Sequence, residues 1–515
     1  MPDTVESLER GLACHQAGRF EEAEAVYQAV LSEEPANAEA LHLLGLLASH
    51  QGRQELAVER IREAIALNPL EPFYHNNLGN VLQALGRFSE AVVCYQDALR
   101  LAPDYVEAHS NLGPALDALG RHLEAVAACQ EAVRLKPDYT EAYMNLGNAL
   151  AKLGRHEEAE AAYRRAIRLR PLYPEAHSNL GNAVLEQGRL EEAAQCYEQA
   201  LRQEPGHPLA HWNRAWLRLL RGDFERGWEE YEWRWVTGNA APRGFRQPVW
   251  DGSLLWGATI LLHAEQGLGD TVQFVRYAPW VKEAGGRVVV ECLPRLAPLA
   301  KTVAGVDEVV EAGSELPPFD THAGLLSLPR IFGTRLTSVP AKVPYFSVDP
   351  VRAGRWGARL ANFDGLKVGL VWAGSPKHKN DHTRSIRLSA FARLAQVPGV
   401  RLFGLQRGPQ AAELASAPFP ITNLEEEDTD ILDTAAIMLH LNLVIAVDTM
   451  AAHLAGALAR PTWTLLAHVP DFRWLLGRED SPWYPTMRLF RQPRPGDWPA
   501  VIERVTQELG NAARH

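Results

Sequence analysis

Four series of residues recur in this chain with a fixed spacing of 34 residues, and this period constrains the fold more than any other feature. Proline recurs at Pro35, Pro69, Pro103, Pro137, Pro171 and Pro205. Glycine recurs in two series, Gly11, Gly45, Gly79, Gly113, Gly147 and Gly181, and Gly18, Gly52, Gly86, Gly120, Gly154, Gly188 and Gly222. Alanine recurs at Ala23, Ala57, Ala91, Ala125, Ala159 and Ala193. Four series in one register predict a solenoid over residues 1–236.

The residue type of each series predicts a helix–turn–helix unit. The first glycine lets two helices pack closely, and the second supplies a turn residue with positive φ. The proline ends one unit and begins the next. The pattern resembles the tetratricopeptide repeat over about residues 5–236, with six regular units and an altered seventh. Terminal repeats change in this way when one face contacts something other than another repeat.

An asparagine precedes the first glycine series at the same period, at Asn77, Asn111, Asn145, Asn179 and Asn213. An asparagine amide both donates and accepts hydrogen bonds, so a row of them could hold the backbone of an extended peptide. The row is similar to the asparagine ladder of the O-linked N-acetylglucosamine transferases. The alternative interpretation is that these amides form hydrogen bonds within the solenoid.

The composition excludes several classes of protein. A hydrophobic fraction of 46% and a charged fraction of 22% are typical of a folded globular chain. The formal net charge of −11 opposes binding to nucleic acid or to an anionic membrane surface. Five scattered cysteines without a C-x-x-C pair predict reduced thiols. With no secretory leader and no apolar run of membrane-spanning length, we expect a cytoplasmic protein without an integral membrane segment.

A different pattern follows the repeats. Residues 237–253 are predicted to be a linker rich in glycine and proline. Short apolar strands then alternate with helices over residues 254–350 and again over residues 351–515, which predicts two Rossmann-like lobes with parallel sheets. Ligands of such sheets bind at the carboxyl ends of the strands. The site is therefore expected in the loops at 267–270, 374–384, 406–408 and 448–453.

The turn Gly267-Leu268-Gly269-Asp270-Thr271 follows the first predicted strand of this region and opens a helix. The glycines allow a tight turn, and a helix N-terminus attracts anions, so Gly269 and Thr271 are candidate phosphate-binding residues. Asp270 is either a helix cap without further function or a general base at the mouth of a cleft. The spacing is not G-x-G-x-x-G, so NAD is not predicted.

The second lobe carries candidate residues for binding a nucleotide diphosphate. A polar loop with Ser375, Lys377, Lys379 and Arg384 is either a solvated surface loop or a cation cluster for phosphate. Gln406 is expected to contact a nucleoside. A later strand leads into a helix through Asp448 and Thr449, followed by Met450 and His453, and the first N–H groups of this helix are expected to hold a phosphate. His453 could equally be a buried structural histidine. No residue spacing predicts a metal site.

Together these motifs resemble the heptosyltransferase family, glycosyltransferase family nine, over about residues 254–510. Gly269-Asp270 matches the Gly-Asp motif that opens the first lobe of that family, and the resemblance implies that Asp270 is the base. The family's Asp-Thr-Gly-x-x-His-Leu-Ala motif is matched from Asp448, except that Met450 replaces the usual glycine. Arg384 stands where the family has a phosphate-binding lysine. The resemblance implies a GT-B fold after the helical solenoid.

The resemblance is nearest to bacterial proteins in which repeats precede such a domain and which have segments similar to 469–474 and 480–485. The order of repeats and GT-B domain is also similar to that of the O-linked N-acetylglucosamine transferases, in architecture only. We therefore expect an inverting glycosyltransferase that uses a nucleotide-diphosphate sugar, needs no cofactor, and modifies a protein or peptide held by the repeats. The alternatives are a non-catalytic scaffold with a degenerate GT-B module and a transferase acting on a glycolipid.

Overall fold

The chain forms two compact units, Met1–Pro205 and Gly206–His515. The structure, a computed structural model, describes residues 4–376, 381–424 and 430–514. The described part of the first unit is helical, and the second unit begins with one more helix pair before it becomes α/β. None of the helices in the described ranges combines the length and the apolar composition that crossing a membrane requires.

The first unit consists of successive helix pairs, one pair for each 34-residue period. The helices are α1 Thr4–Gln16, α2 Phe20–Glu33, α3 Ala38–His50, α4 Gln54–Leu67, α5 Pro72–Ala84, α6 Phe88–Leu101, α7 Val106–Ala118, α8 His122–Leu135, α9 Thr140–Lys152, α10 His156–Leu169, α11 Pro174–Glu186 and α12 Leu190–Gln203. Each pair is joined by a turn that contains a glycine of the second series.

The two glycine series have the two predicted roles. In the third pair, a methyl group added to Gly79 would lie 2.5 Å from Cε1 of Tyr95, so only glycine lets α5 approach α6 so closely. Gly86 in the following turn has a φ of +72° and open space around it. Glycine is therefore required in the first series because a larger side chain would not fit, and in the second series because the backbone adopts a positive φ.

The second unit begins with α13 Pro208–Leu220, α14 Phe224–Tyr231 and a 3₁₀ turn Glu232–Trp235. Trp228 of α14 packs edge to face against Phe274, Phe472 and Trp483, with ring centroids 5.6 to 6.5 Å apart. These rings belong to the α/β region, so the seventh repeat contacts that region instead of an eighth repeat. This packing gives the physical reason for the aromatic residues that alter the repeat pattern.

The first sheet is parallel and has the strand order β3-β2-β1-β4. Its strands are β1 Thr259–His263, β2 Arg287–Cys292, β3 Glu308–Glu311 and β4 Thr321–Gly324. The helices around it are α15 Leu268–Phe274, α16 Ala278–Glu283, α17 Ala297–Ala300 and α18 Leu328–Ile331. The linker is not wholly irregular, because Trp250 donates its backbone N–H to the carbonyl of His322 in β4 at 2.8 Å.

The second sheet is also parallel and has the strand order β10-β9-β8-β5-β6-β7. Its strands are β5 Leu366–Val371, β6 Val400–Gly404, β7 Thr422–Asn423, β8 Leu443–Val447, β9 Thr462–Leu466 and β10 Met487–Arg491. Its helices are α19 Pro350–Leu360, α20 Asp381–Arg384, α21 Ile431–Leu439, α22 Met450–Ala457 and α23 Trp498–Ala512. Renumbered within the lobe, this is the doubly wound order 3-2-1-4-5-6.

The structure differs from the sequence-based expectation in a few elements. The single helix expected after β1 is divided into α15, a 3₁₀ turn and α16, because Pro279 cannot donate the hydrogen bond that would continue the helix. The expected helix at 388–397 is a 3₁₀ helix, Leu388–Gln396. Strands β7 and β10 were not predicted, and the connector near 345–362 contains α19.

Candidate functional site

The two sheets bring their topological switch points to the same region. Strand order reverses between β1 and β4 in the first sheet and between β5 and β8 in the second, where crevices for ligands form. The loop after β1 opens α15, and the loop after β8 opens α22. A methyl group on Gly269 would lie 3.1 Å from Cδ2 of His453 and 3.7 Å from Cα of Met450. The N-terminal turns of α15 and α22 therefore pack against each other across the two lobes.

Arg473 links the two lobes at this point. Its Nε donates to Oε1 of Gln273 at 2.7 Å, its Nη1 donates to Oδ1 of Asp471 at 2.8 Å, and its Nη2 donates to Oδ1 of Asp270. The guanidinium carbon also lies 4.4 Å from the ring centroid of Phe472. Only 8% of the side chain is exposed. A buried cation from the second lobe is thus held by a carboxylate from each lobe.

Asp270 has one oxygen engaged locally and one engaged across the lobes. Oδ2 accepts a hydrogen bond of 2.7 Å from the backbone N–H of Gly267, and Oδ1 accepts from Arg473. Asp270 thus makes the local contact of a helix cap and a second contact outside its helix. Burial raises the pKa of the Asp270 carboxyl, Arg473 opposes this effect, and the charge of Asp471 adds to it. A carboxylate with a raised pKa is the better proton acceptor near neutral pH.

Asp448 belongs to the same electrostatic cluster. Burial raises its pKa to about 6, with a contribution from the charge of Asp471, while Arg384 and Arg473 oppose the rise. Three carboxylates, Asp270, Asp448 and Asp471, thus interact with two guanidinium groups.

The loop after β5 is ordered around Gly374. Its N–H donates to Oγ of Ser385 at 2.9 Å, and Ser385 in turn donates to Oδ1 of Asp381 at 2.9 Å. A methyl group on Gly374 would lie 2.7 Å from Nη2 of Arg384, so the guanidinium lies directly on this backbone. Arg384 is 19% exposed, with Nε at 3.5 Å from Asp381. The charge of Arg384 also lowers the pKa of Asp448, so Arg384 contributes to the electrostatics of the carboxylate cluster.

The other two predicted cations, Lys377 and Lys379, lie outside the described residues, and Ser375 near them is exposed.

Gln406 is buried, and its amide forms hydrogen bonds with the protein backbone. Its Oε1 accepts from the backbone of Trp372 and Ala373 at 3.0 and 2.9 Å, and its Nε2 donates to two carbonyl groups. In this structure Gln406 therefore shapes the loop after β5 and presents no polar atom to a nucleoside.

The remaining predicted residues lie around the start of α22 or in α15. Thr449 is the N-cap residue of α22, and its hydroxyl donates to the carbonyl of Val447 at 3.2 Å. Burial holds the pKa of His453 well below its ordinary value, and its Nδ1 lies 3.0 Å from the hydroxyl of Tyr484. The ring of His453 stacks on Trp474 with centroids 5.0 Å apart. His453 is thus a neutral residue in the wall of the site, and Thr271 is buried within α15.

Hydrogen bonds from β10 hold the loop that carries Asp471 and Arg473. Leu475 has φ 53° and ψ −168°, a backbone conformation that L residues rarely adopt. Nη2 of Arg491 donates to the carbonyl of Leu475 at 2.7 Å and to that of Trp474 at 3.3 Å. These contacts hold the strained backbone two residues after Arg473 in place.

Sequence reasoning did not assign Asp471 or Arg473 to the site. A signal was available, since both lie in the segment 469–474 that the sequence analysis compared with bacterial repeat-fused proteins. This segment also follows the carboxyl end of β9, the edge at which ligands of parallel sheets bind. Within the described ranges, no group of three or more His, Cys, Asp or Glu side chains is arranged to hold a metal ion.

The asparagine row forms hydrogen bonds between successive repeats of the first unit. The Nδ2 of Asn111 donates to Oδ1 of Asn76 at 3.1 Å, and that of Asn145 donates to the carbonyl of Ser110 at 3.0 Å. Equivalent contacts join Asn77 to His42 at 2.9 Å and Asn179 to Asn148 at 3.0 Å, and Asn213, in the second unit, also has a partner. The row is therefore part of the repeat packing, as the alternative interpretation expected. Each amide retains further hydrogen-bonding capacity.

The repeats match known repeat families. A model of the tetratricopeptide repeat matches residues 8–72, 76–140 and 178–232, and a model described as TPR repeat matches residues 147–188. Protein FlbA of Caulobacter vibrioides is 29% identical to this chain over 327 residues. The match covers 58% of this chain and 54% of FlbA, so the chain spans about half the length of that relative.

Two solved structures of repeat proteins are similar to part of this chain. YrrB, described as a TPR protein with an unusual peptide-binding site, is 24% identical, with a TM-score of 0.31 over 36% of this chain and 95% of YrrB. The pilF protein of Pseudomonas aeruginosa is 20% identical, with a TM-score of 0.38 over 41% of this chain and 96% of pilF. Residues 8–232 of this chain are tetratricopeptide repeats, a solenoid of the kind that binds other proteins, followed by an α/β region with parallel sheets.

Proposed function

We propose that this protein is an inverting glycosyltransferase of the GT-B type that transfers a sugar from a nucleotide-diphosphate donor to an acceptor held by the repeats. One observation carries the proposal. The loop after β1 brings Asp270 into an ion pair with the buried guanidinium of Arg473, which belongs to the other sheet, and the N-terminal turn of α15 packs against that of α22, the helix that follows Asp448. In open parallel sheets, nucleotides bind outside the carboxyl ends of the strands, at the switch point of the strand order.

In the proposed reaction, Asp270 accepts the proton of the acceptor hydroxyl. The acceptor oxygen forms the new bond to the anomeric carbon as the bond from that carbon to the diphosphate breaks, so the configuration inverts. The raised pKa of Asp270 suits proton acceptance. The leaving diphosphate takes the electron pair, and Arg384 with the first N–H groups of α22 stabilises its charge.

The repeats are proposed to present the acceptor, which makes a protein or peptide the favoured substrate. The altered seventh repeat supports this arrangement, since its aromatic face packs directly on Phe274 and Phe472. Phe274 ends α15, the helix whose first turn contains Asp270, and Phe472 is adjacent to Arg473. An acceptor that reaches the seventh repeat would therefore lie beside the site.

A screen of nucleotide sugars for thermal stabilisation tests the donor. A donor that binds the folded protein at 100 times its Kd raises the free energy of unfolding by about 2.7 kcal/mol through mass action. We expect one nucleotide-diphosphate sugar to raise the melting temperature, and the Arg384→Gln variant to lose most of that shift. Absence of any shift with every nucleotide sugar and nucleoside diphosphate would remove the proposed donor site.

A second candidate is a non-catalytic scaffold, and one observation favours it. The first turn of α22 packs on Gly269, and Met450 stands at the position where the family motif has glycine. A bulkier residue at a helix N-terminus reduces the space for a phosphate. Calorimetry with nucleoside diphosphates separates the two candidates, because a scaffold binds none of them.

A further inference from the structure

The proposed base is engaged in an ion pair in this structure. Oδ1 of Asp270 accepts from Nη2 of Arg473, and Oδ2 accepts from Gly267 at 2.7 Å. A carboxylate held in this way by a cation is a weaker base than the same carboxylate alone, because the nearby positive charge stabilises its ionised form. The proposed chemistry therefore requires that the pair be broken before the proton is accepted.

Arg473 is the fixed partner of this pair. Gln273 and Asp471 hold its Nε and Nη1 at 2.7 and 2.8 Å, and the ring centroids of Phe472 and Phe274 lie 4.4 and 5.5 Å from its guanidinium carbon. Asp270 has less to hold it on its own side, where its carboxylate accepts hydrogen bonds from backbone N–H groups and pairs with no second cation among the described residues. An incoming anion would therefore displace Asp270 and leave Arg473 in place.

The chemical class of the displacing anion follows from the guanidinium. Arginine binds phosphate oxygens through its planar set of N–H donors. Two carboxylates already share Arg473, and Asp448 lies in the same cluster, so the group has more negative than positive charge. Adding a diphosphate is favourable only if one carboxylate withdraws from the cation or takes up a proton.

We propose that Arg473 is a binding residue for the diphosphate of the donor and that the diphosphate displaces Asp270 from Nη2, so that Asp270 becomes a competent base only when the donor is bound. The inference rests on the proposed function for the identity of the anion. It predicts ordered binding, in which the donor precedes acceptor activation and an empty site cannot deprotonate an acceptor. It also assigns a reason for the strained Leu475 backbone, which holds Arg473 in one position.

The test measures binding of inorganic pyrophosphate to the full-length chain by calorimetry at low ionic strength. We expect Asp270→Asn to bind pyrophosphate about tenfold more tightly than the unaltered protein, because a competing carboxylate has been neutralised. Arg473→Gln should bind at least about tenfold more weakly, and Arg473→Lys should fall between, because lysine keeps the charge without the planar fork. Arg478→Gln is the matched control, since Arg478 follows on the same loop and pairs with exposed Asp480.

The outcomes separate this inference from the proposed function. Tighter binding by Asp270→Asn together with weaker binding by Arg473→Gln supports the exchange even if no nucleotide sugar is ever consumed. Sugar transfer combined with unchanged pyrophosphate affinity in both variants overturns the exchange and leaves the transferase intact. Pyrophosphate that binds none of the folded variants, or binds Asp270→Asn more weakly, also overturns it. Circular dichroism verifies the fold of each variant, and the Lys variant retains the buried charge if the Gln variant fails to fold.

Discussion

The two units of this protein differ in whether their important contacts recur along the chain or occur once. In the first unit a glycine contact, a turn and an inter-repeat hydrogen bond recur along the helix pairs. In the second unit the contact between Asp270 and Arg473 occurs once and joins residues 203 positions apart. Repetition spreads stability over many equivalent contacts, whereas the site of the second unit depends on single residues brought together by long-range folding.

The units also differ in charge. Residues 1–205 contain 31 acidic and 18 basic side chains, and residues 206–515 contain 32 acidic and 34 basic ones. The net charge of −11 for the whole chain therefore comes from the first unit. The net charge of the whole chain therefore does not disfavour binding of an anionic ligand to the second unit. A phosphate-bearing donor would bind to a unit whose own charge is close to neutral.

The largest expected effect is the loss of transfer in Asp270→Asn. Removing a general base lowers the rate by about 10² to 10⁴-fold, and no second residue duplicates its role in the proposed mechanism. The measurement is kcat with the donor found in the nucleotide-sugar screen, and Asp480→Asn serves as an exposed carboxylate control. Full activity in Asp270→Asn would end the claim that this unit depends on single residues.

The pH dependence of stability in an Asp448 variant tests the electrostatics of the second unit. Because its folded-state pKa is raised to about 6 from an ordinary 3.8, ionisation of Asp448 destabilises the folded state as pH rises through this interval. Asp448→Asn should therefore raise the free energy of unfolding at about pH 7.5 by at most about 3 kcal/mol, and the gain should shrink as pH falls from about 6 towards about 4. Chemical denaturation across that range measures it. A variant that is less stable than the unaltered protein at neutral pH would show that Asp448 stabilises Arg384 and Arg473 more than its burial costs.

The two glycine series allow a matched comparison inside the repeats. Gly79→Ala places a methyl group 2.5 Å from a Tyr95 ring atom, so we expect a loss of about 1–3 kcal/mol from overpacking. Gly86→Ala meets open space but must adopt a φ of +72°, which costs about 1–2 kcal/mol. Urea denaturation followed by circular dichroism measures both. Unchanged stability in Gly79→Ala would contradict the conclusion that the first glycine series is required because a larger side chain does not fit.

The smallest effects are expected in the asparagine row. Asn145→Ala removes inter-repeat hydrogen bonds to Ser110, and such bonds contribute about 0.5–1.5 kcal/mol each. If the row also holds peptides, the double variant Asn145→Ala with Asn179→Ala should weaken binding to a peptide array. Asn80→Ala is the control, because Asn80 lies outside the row and accepts from Tyr95 of its own repeat. Array binding that is equal in the unaltered, double-variant and control proteins leaves the row with a packing role alone.

The residues whose roles could be identified from the sequence are those whose roles depend on neighbours along the chain. The glycine in each turn, the proline after each second helix and the aspartate at the start of α15 act on neighbours within a few residues. The contact between Asp270 and Arg473 is not local, and the sequence alone could not show that Asp471 and Arg473 lie beside that aspartate. Gln406 illustrates the same limit, because its position at a strand end predicts ligand contact, but its buried amide forms hydrogen bonds with four backbone groups of its own lobe.

The sequence by itself determined the period of the repeats, the kind of helix pair each period forms, and the alternation of strands and helices that follows. These features depend on backbone conformation and on side-chain volume at fixed spacing. Tertiary structure alone decided which strand ends meet, that α15 packs on α22, and that one guanidinium serves carboxylates of both lobes. The physical reason is that the energy of a buried charge depends on distance in space, and a separation of 203 residues along the chain carries no information about that distance.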